Sequence, residues 1–202
     1  MFGADVTWTV STLVIASVVV VSVLAWIIKP LKHAFVLVPY LVREKLQLHR
    51  LVTAGWVHAD VTHLLFNMLT LWFFADQVVK ALGAAQFVVL YVTAVVAAHI
   101  PTTLLHWKNP KYGSLGASGA VSAIVFSAIL LYPDMRLSLM FLPIFVPGYV
   151  YALCYLAYSA FSAWRARDGI NHEAHFAGAA YGVALTFAFA PDRALATLHR
   201  FF

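Results

Sequence analysis

Charge is scarce in this chain: Asp, Glu, Lys and Arg make up 10% of its 202 residues, and only eight residues are acidic. Soluble domains carry about 25%, so a globule facing water on all sides is excluded. Cysteine is nearly absent. The single thiol, Cys154, rules out an intramolecular disulfide, and its apolar neighbours mark it as a packing residue. Internal repeats, low-complexity tracts and linkers are missing as well, which argues for one domain over residues 1–202. What the chain has in quantity is apolar surface: 63% hydrophobic residues, 15% aromatics and a mean hydropathy of +0.86. Such a composition excludes disorder, because it demands burial, and with so little charge the burial must be in a lipid bilayer.

The basic excess, 13 Lys and Arg against 8 Asp and Glu, raises the question of nucleic acid. The bases stand singly at the ends of apolar segments, as membrane-flanking residues do. No basic stripe with interleaved aromatics is present, and nucleic acid is excluded as a partner.

A spanning helix needs about 20 predominantly apolar residues. Six stretches qualify, at about 7–28, 61–79, 84–105, 115–132, 137–163 and 172–190, which predicts an all-α bundle of six transmembrane helices. The first carries Asp5 and no Lys or Arg ahead of it, and its apolar run exceeds that of a signal peptide, so it reads as a retained anchor. Connections are short except the first, 29–60, whose Phe35, Val36, Leu37 and Leu41 predict a loop lying partly in the membrane interface. His99 and His106 are expected at the exit of the third stretch, and Asp192 onward is expected to be a short basic tail.

Polar side chains inside spanning helices are costly and mark candidate sites. His63 and Asn67 lie four apart in the second stretch and so share one helix face. Ser118 sits among Gly113, Gly116 and Gly119; glycines there permit close backbone approach and leave N–H groups open at a helix start, as an oxyanion site requires. In the sixth stretch Ala174, Gly178 and Gly182 form a stripe of small residues that admits a neighbouring helix. If that stripe packs on the glycine-rich start of the fourth stretch, His175 comes within reach of Ser118. A serine becomes a useful nucleophile once a base takes its proton, and histidine is the usual base. Each of these residues taken alone is better explained by helix-to-helix hydrogen bonding.

Three motifs together resemble the rhomboid intramembrane serine proteases. His58-Ala-Asp-Val-Thr-His63-Leu-Leu-Phe-Asn67 is similar to the family's second-helix motif, Gly116-Ala-Ser118-Gly119 to its Gly-x-Ser-Gly motif, and Ala174-His175 with Gly178 and Gly182 to its sixth-helix pattern. The resemblance implies a dyad with Ser118 as nucleophile and His175 as general base. It implies oxyanion contacts from His63, Asn67 and the backbone at Gly116 and Ser118, and structural support from His58, Gly119, Gly178 and Gly182. Substrates would be other transmembrane proteins in the bilayer, cut in a polar cavity formed by Ser118, His175, His63, Asn67 and His58 on the side of loops 1, 3 and 5. The chemistry calls for no metal or cofactor. The chain departs from the pattern at Val79, where an acid is frequent, and at Ser122, where some members place the aromatic on which the histidine stacks. At Arg50 the family often carries an arginine after a tryptophan; here His49 precedes it.

Rival readings are weaker. His172-Glu-Ala-His175 spaces its histidines by three rather than the four of a zinc protease helix. A rhomboid-like protein that only escorts helices typically lacks the serine or the histidine, and both are here. A transporter is expected to show a repeat between halves or carboxylates at mid-membrane. Nine of the 13 bases fall on the side of loops 1, 3 and 5, which by the positive-inside rule is cytoplasmic. The resemblance implies the reverse, a bacterial inner membrane with the active site facing away from the cytoplasm, and this is the expectation adopted. Nothing in the sequence sets an oligomeric state.

Overall fold

The structure is a computed structural model, and it describes residues 9–138, 145–165 and 171–201. Helix α1 (Val10–Ile27) is capped by Thr9, whose hydroxyl accepts the Thr12 N–H. The first two residues of the expected first span lie outside the described residues. The long first connection is folded rather than loose: α2 (Lys29–Phe35), α3 (Pro39–Glu44), α4 (Arg50–Thr53) and a 3₁₀ turn (Ala54–Trp56) follow in order. Pro30 and Pro39 stand at helix starts, where a missing N–H costs nothing. Leu37, Val42 and Ala54 bury a small core of their own. Arg50, itself buried, donates to the carbonyls of His33 (2.8 Å) and Val36 (2.6 Å) and to Gln47 Oε1 (2.6 Å), tying the connection together.

The remaining helices are α5 (Val61–Leu82), α6 (Ala84–His106), α7 (Ser118–Leu131), α8 (Gly148–Arg165), α9 (His172–Phe189) and α10 (Pro191–Phe201). Among the described residues α1 and α6 are long and apolar enough to cross a membrane. Helix α7 has a different character: every residue from Gly119 to Leu131 is buried. A helix that is apolar on all sides belongs inside a bundle, and α7 is the centre around which α5, α6 and α9 pack.

Two sequence expectations need correction. The fifth stretch, expected as helix over 137–163, does not begin as one. Residues Arg136–Ser138 form a strand, β1, paired antiparallel with β2 (Phe145–Pro147), with Leu137 opposite Val146, and α8 starts only at Gly148; residues 139–144 lie outside the described residues. Pro147 lacks the N–H a helix interior needs and disfavours helical backbone in the residue before it. The expected tail beyond Asp192 is a helix, α10, which buries Ala194 and Thr197; the Thr197 hydroxyl donates to the Leu130 carbonyl at the end of α7 (2.8 Å).

Helices α7 and α9 approach each other backbone to backbone. A Cβ on Gly178 would collide with the carbonyl of Gly119, and one on Gly182 with the carbonyl of Ala123. One on Gly119 would strike the Ala98 side chain of α6. Below this glycine contact the Thr186 hydroxyl of α9 meets Ser127 Oγ of α7 at 2.8 Å. Since backbone cannot give way as a side-chain tip does, Gly178→Val is expected to destabilise the protein by about 1–3 kcal/mol or more, the cost of overpacking. Thermal unfolding in detergent micelles checks this, and an unchanged midpoint would contradict the contact.

Candidate active site

Three helix N-termini meet at one cavity: those of α5 at Val61, α7 at Ser118 and α9 at His172. The cavity encloses about 920 Å³ and is lined by residues of loops 1, 3 and 5, among them Asp60, Tyr112 and Asn171, and by His63, Asn67, Ser118 and His175 from the helices. Helix N-termini carry unpaired N–H groups and partial positive charge, so this cavity is electrostatically suited to developing negative charge.

Ser118 is the first residue of α7, and His175 lies in the first turn of α9. Their side chains meet with Oγ and Nε2 2.7 Å apart. In this arrangement Nε2 can accept the serine proton when the imidazole's own proton is on Nδ1. The small-residue stripe accounts for the distance, because it brings α9 against α7 with no side chain between them.

His63 and Asn67 line the cavity from α5, one turn apart, as their spacing predicts. Asp60 caps the helix by accepting the His63 N–H at 2.8 Å. The Asn67 amide donates to the His63 carbonyl at 2.9 Å and keeps a second N–H. The His63 ring lies directly over Gly116: a Cβ there would sit 2.6 Å from its Cε1. Gly116 also has φ +116, a conformation that side chains other than glycine's rarely allow. Its N–H is bound to the Ala54 carbonyl (2.9 Å), which fixes the turn into α7.

His58 does not line the cavity, contrary to the expected five-residue wall. It is fully buried behind it. Its Nε2 accepts the Ala117 N–H (3.2 Å), so its proton is on Nδ1, which donates to Ser22 Oγ (2.9 Å); Ser22 in turn donates to the Trp56 carbonyl (2.9 Å). Trp26 Nε1 donates to the His58 carbonyl (2.8 Å). One neutral imidazole thus joins α1, the first connection and the turn that presents Ser118. Burial, with His63 adding to it and Asp60 opposing, pushes the His58 pKa down to about 3.

Several residues of the site were not singled out from sequence. Asn171 caps α9, accepting the Ala174 N–H (3.0 Å) while donating to Thr102 Oγ1 and Ser114 Oγ (both 2.8 Å). An Asn immediately before the His172 helix is an N-cap signature that sequence reading could have used. Tyr112 stacks on His106 with centroids 3.7 Å apart, and His106 Nε2 lies 3.1 Å from Glu173 Oε1, all three lining the cavity. Burial, reinforced by the Glu173 carboxylate, pushes the Tyr112 phenol up to about 12. Tyr155 of α8 lies against His175, with centroids 6.4 Å apart and planes 24° apart. No sequence motif pointed to it. His106 ends α6 as expected, but His99 is buried inside that helix, its Nδ1 2.9 Å from the Leu51 carbonyl.

The neutral His58 has a measurable consequence. In the unfolded chain it titrates near 6.5, whereas the folded protein resists protonating it until about pH 3. Acidification from about pH 6.5 toward 3 therefore favours the unfolded state, and His58 contributes its stability only above that window. Thermal unfolding across that range should show a shallower loss with falling pH for His58→Gln than for the parent, while equal slopes would contradict the assignment.

Comparison with known proteins places the chain in a family. The family model "Rhomboid domain" matches residues 45–192. The mouse presenilin-associated rhomboid-like protein, mitochondrial, is 32% identical over 136 residues, which cover 62% of this chain and 34% of the relative. Rhomboid protein 1, mitochondrial, of Saccharomyces cerevisiae is 28% identical over 66% of this chain and 39% of its own length. RHOMBOID-like protein 12, mitochondrial, of Arabidopsis thaliana is 28% identical over 66% and 44%. The matches thus span between a third and half of these relatives. Their names also overturn the expected bacterial inner membrane, since each of the three is designated mitochondrial. With the family model covering well over half of its length, the chain belongs to the rhomboid family.

Proposed function

We propose that this protein is an intramembrane serine endopeptidase that cuts transmembrane proteins by a Ser118–His175 dyad. The observation that carries the reading is the 2.7 Å contact between Ser118 Oγ and His175 Nε2 in a cavity at the meeting of three helix N-termini. Nε2 takes the hydroxyl proton as Oγ attacks the scissile carbonyl. The resulting oxyanion is held by the Ser118 backbone N–H, Asn67 and His63. His175 then passes its proton to the leaving amine, the C–N bond breaks, and an acyl-serine remains. Water enters the cavity, gives a proton to His175 as its oxygen attacks the ester, and the serine leaves with that proton restored.

In this reading α1, α5, α6, α7, α8 and α9 are the six spans of the bundle, and α2 to α4 lie at the interface. A scissile bond in a helix is closed to attack until the backbone unwinds, so the cavity must receive an extended segment. The glycine-rich turn at Gly113 and Gly116 suits a small residue beside the cut. The mitochondrial designation of the relatives makes a mitochondrial membrane the proposed compartment.

Reconstitution in liposomes with a transmembrane reporter tests the proposal. Ser118→Ala and His175→Ala should both be silent while folded. His63→Ala and Asn67→Ala should each lower kcat by about 10²–10³-fold, the usual effect of removing an oxyanion donor. Cutting that survives Ser118→Ala would refute the dyad, and a folded parent that binds the reporter without cutting it would favour a helix-binding role.

A further inference from the structure

The ring angle of His175 decides whether its Nε2 faces Ser118 Oγ. Glu173, two residues ahead of His175 on the same helix, is turned toward His106 (3.1 Å). The position four residues after the nucleophile, where an aromatic could support the ring, is Ser122. An aromatic reaches the ring from another helix. Tyr155 of α8 lays its ring against His175 in an offset stack, within the range in which aromatic pairs attract. Phe126 and Tyr151 hold the other sides of that ring, with centroids 5.5 and 6.0 Å away.

The hydroxyl end of Tyr155 is also tied down. Ser122 Oγ donates to the Ser118 carbonyl one turn back (2.9 Å), a back-bond common for helical serines. Its one proton is thereby engaged, so the 2.6 Å contact between Ser122 Oγ and the Tyr155 hydroxyl has tyrosine as donor. The links close a ring: Ser118 carbonyl, Ser122, Tyr155, His175 and back to Ser118 Oγ. We infer that Tyr155, tethered by Ser122, is the positioning residue that holds His175 in register with Ser118. A small residue at 122 is then required, since a larger one would occupy the space the tyrosine crosses. This inference rests on the dyad reading and goes beyond it.

The test compares the parent with Tyr155→Leu, Tyr155→Phe and Ser122→Ala in liposomes, reading reporter kinetics and the rate at which a fluorophosphonate labels Ser118. Tyr155→Leu should lower kcat by about ten- to a hundredfold, as misplacement of a catalytic group does, with KM within about twofold and labelling slowed in parallel. Tyr155→Phe keeps the ring and should recover most of that loss. Tyr155→Phe and Ser122→Ala both cut the tether, so each should slow labelling about threefold, and their combination should be no slower than either. Parent-rate labelling in a folded Tyr155→Leu, or a rise in KM with kcat unchanged, would overturn the positioning role. If Tyr155→Leu fails to fold, additive losses in the two tether variants would overturn it instead. A parent that neither labels nor cuts brings down the dyad reading and this inference with it, whereas a parent that does both isolates Tyr155 as the point at issue.

Discussion

No side chain separates α7 from α9 where Gly178 meets the Gly119 carbonyl and Gly182 meets that of Ala123, and the geometry of the site follows from that contact. In lipid there is little hydrophobic drive between helices, so close association depends on small residues that let backbones touch. Ser118 precedes Gly119 by one residue and His175 precedes Gly178 by three, less than one turn in each case. The dyad distance is therefore set by rigid backbone rather than by the reach of flexible side chains. The same contact explains why α7, which has no face toward lipid, can present its first residue to a polar cavity.

A second constraint acts on the turn ahead of Ser118. The turn leading into α7 is held by the Gly116 N–H on Ala54, by Ala117 on His58 and by the antiparallel bridge between Leu37 and Ser114. Each of these partners belongs to the first connection, which Arg50 organises from within. The long connection is thus part of the site's foundation. It positions the Ser118 backbone N–H, while Asn171 does the equivalent at the start of α9 through Thr102 and Ser114.

Much of this was legible in the sequence, because each signal has a local cause. His63 and Asn67 had to share a face once helix was granted, and the stripe of Ala174, Gly178 and Gly182 announced a close neighbour. Gly116 stands out in the sequence as a glycine, whereas its positive φ and the ring of His63 above it follow from the tertiary fold. The hairpin at Arg136–Ser138 and Phe145–Pro147 is hidden in the sequence because apolar content outweighs Pro147 and Gly148, which together announce a break. Tyr155 was beyond sequence reading altogether. Its role depends on which face of α8 meets α9, and a tyrosine among Tyr149, Tyr151 and Tyr158 carries no mark of that. His58 was legible as a site neighbour, but its place behind the cavity wall depends on Ser22, more than thirty residues away in α1.

The central claim is that the α7–α9 contact makes Ser118 a nucleophile through His175. Its most direct test is to react the reconstituted protein with a fluorophosphonate and locate the adduct by mass spectrometry, with and without His175→Ala. The account predicts one adduct on Ser118 in the parent and none on it in His175→Ala. An adduct on another serine, or labelling of Ser118 at the same rate without His175, would contradict it.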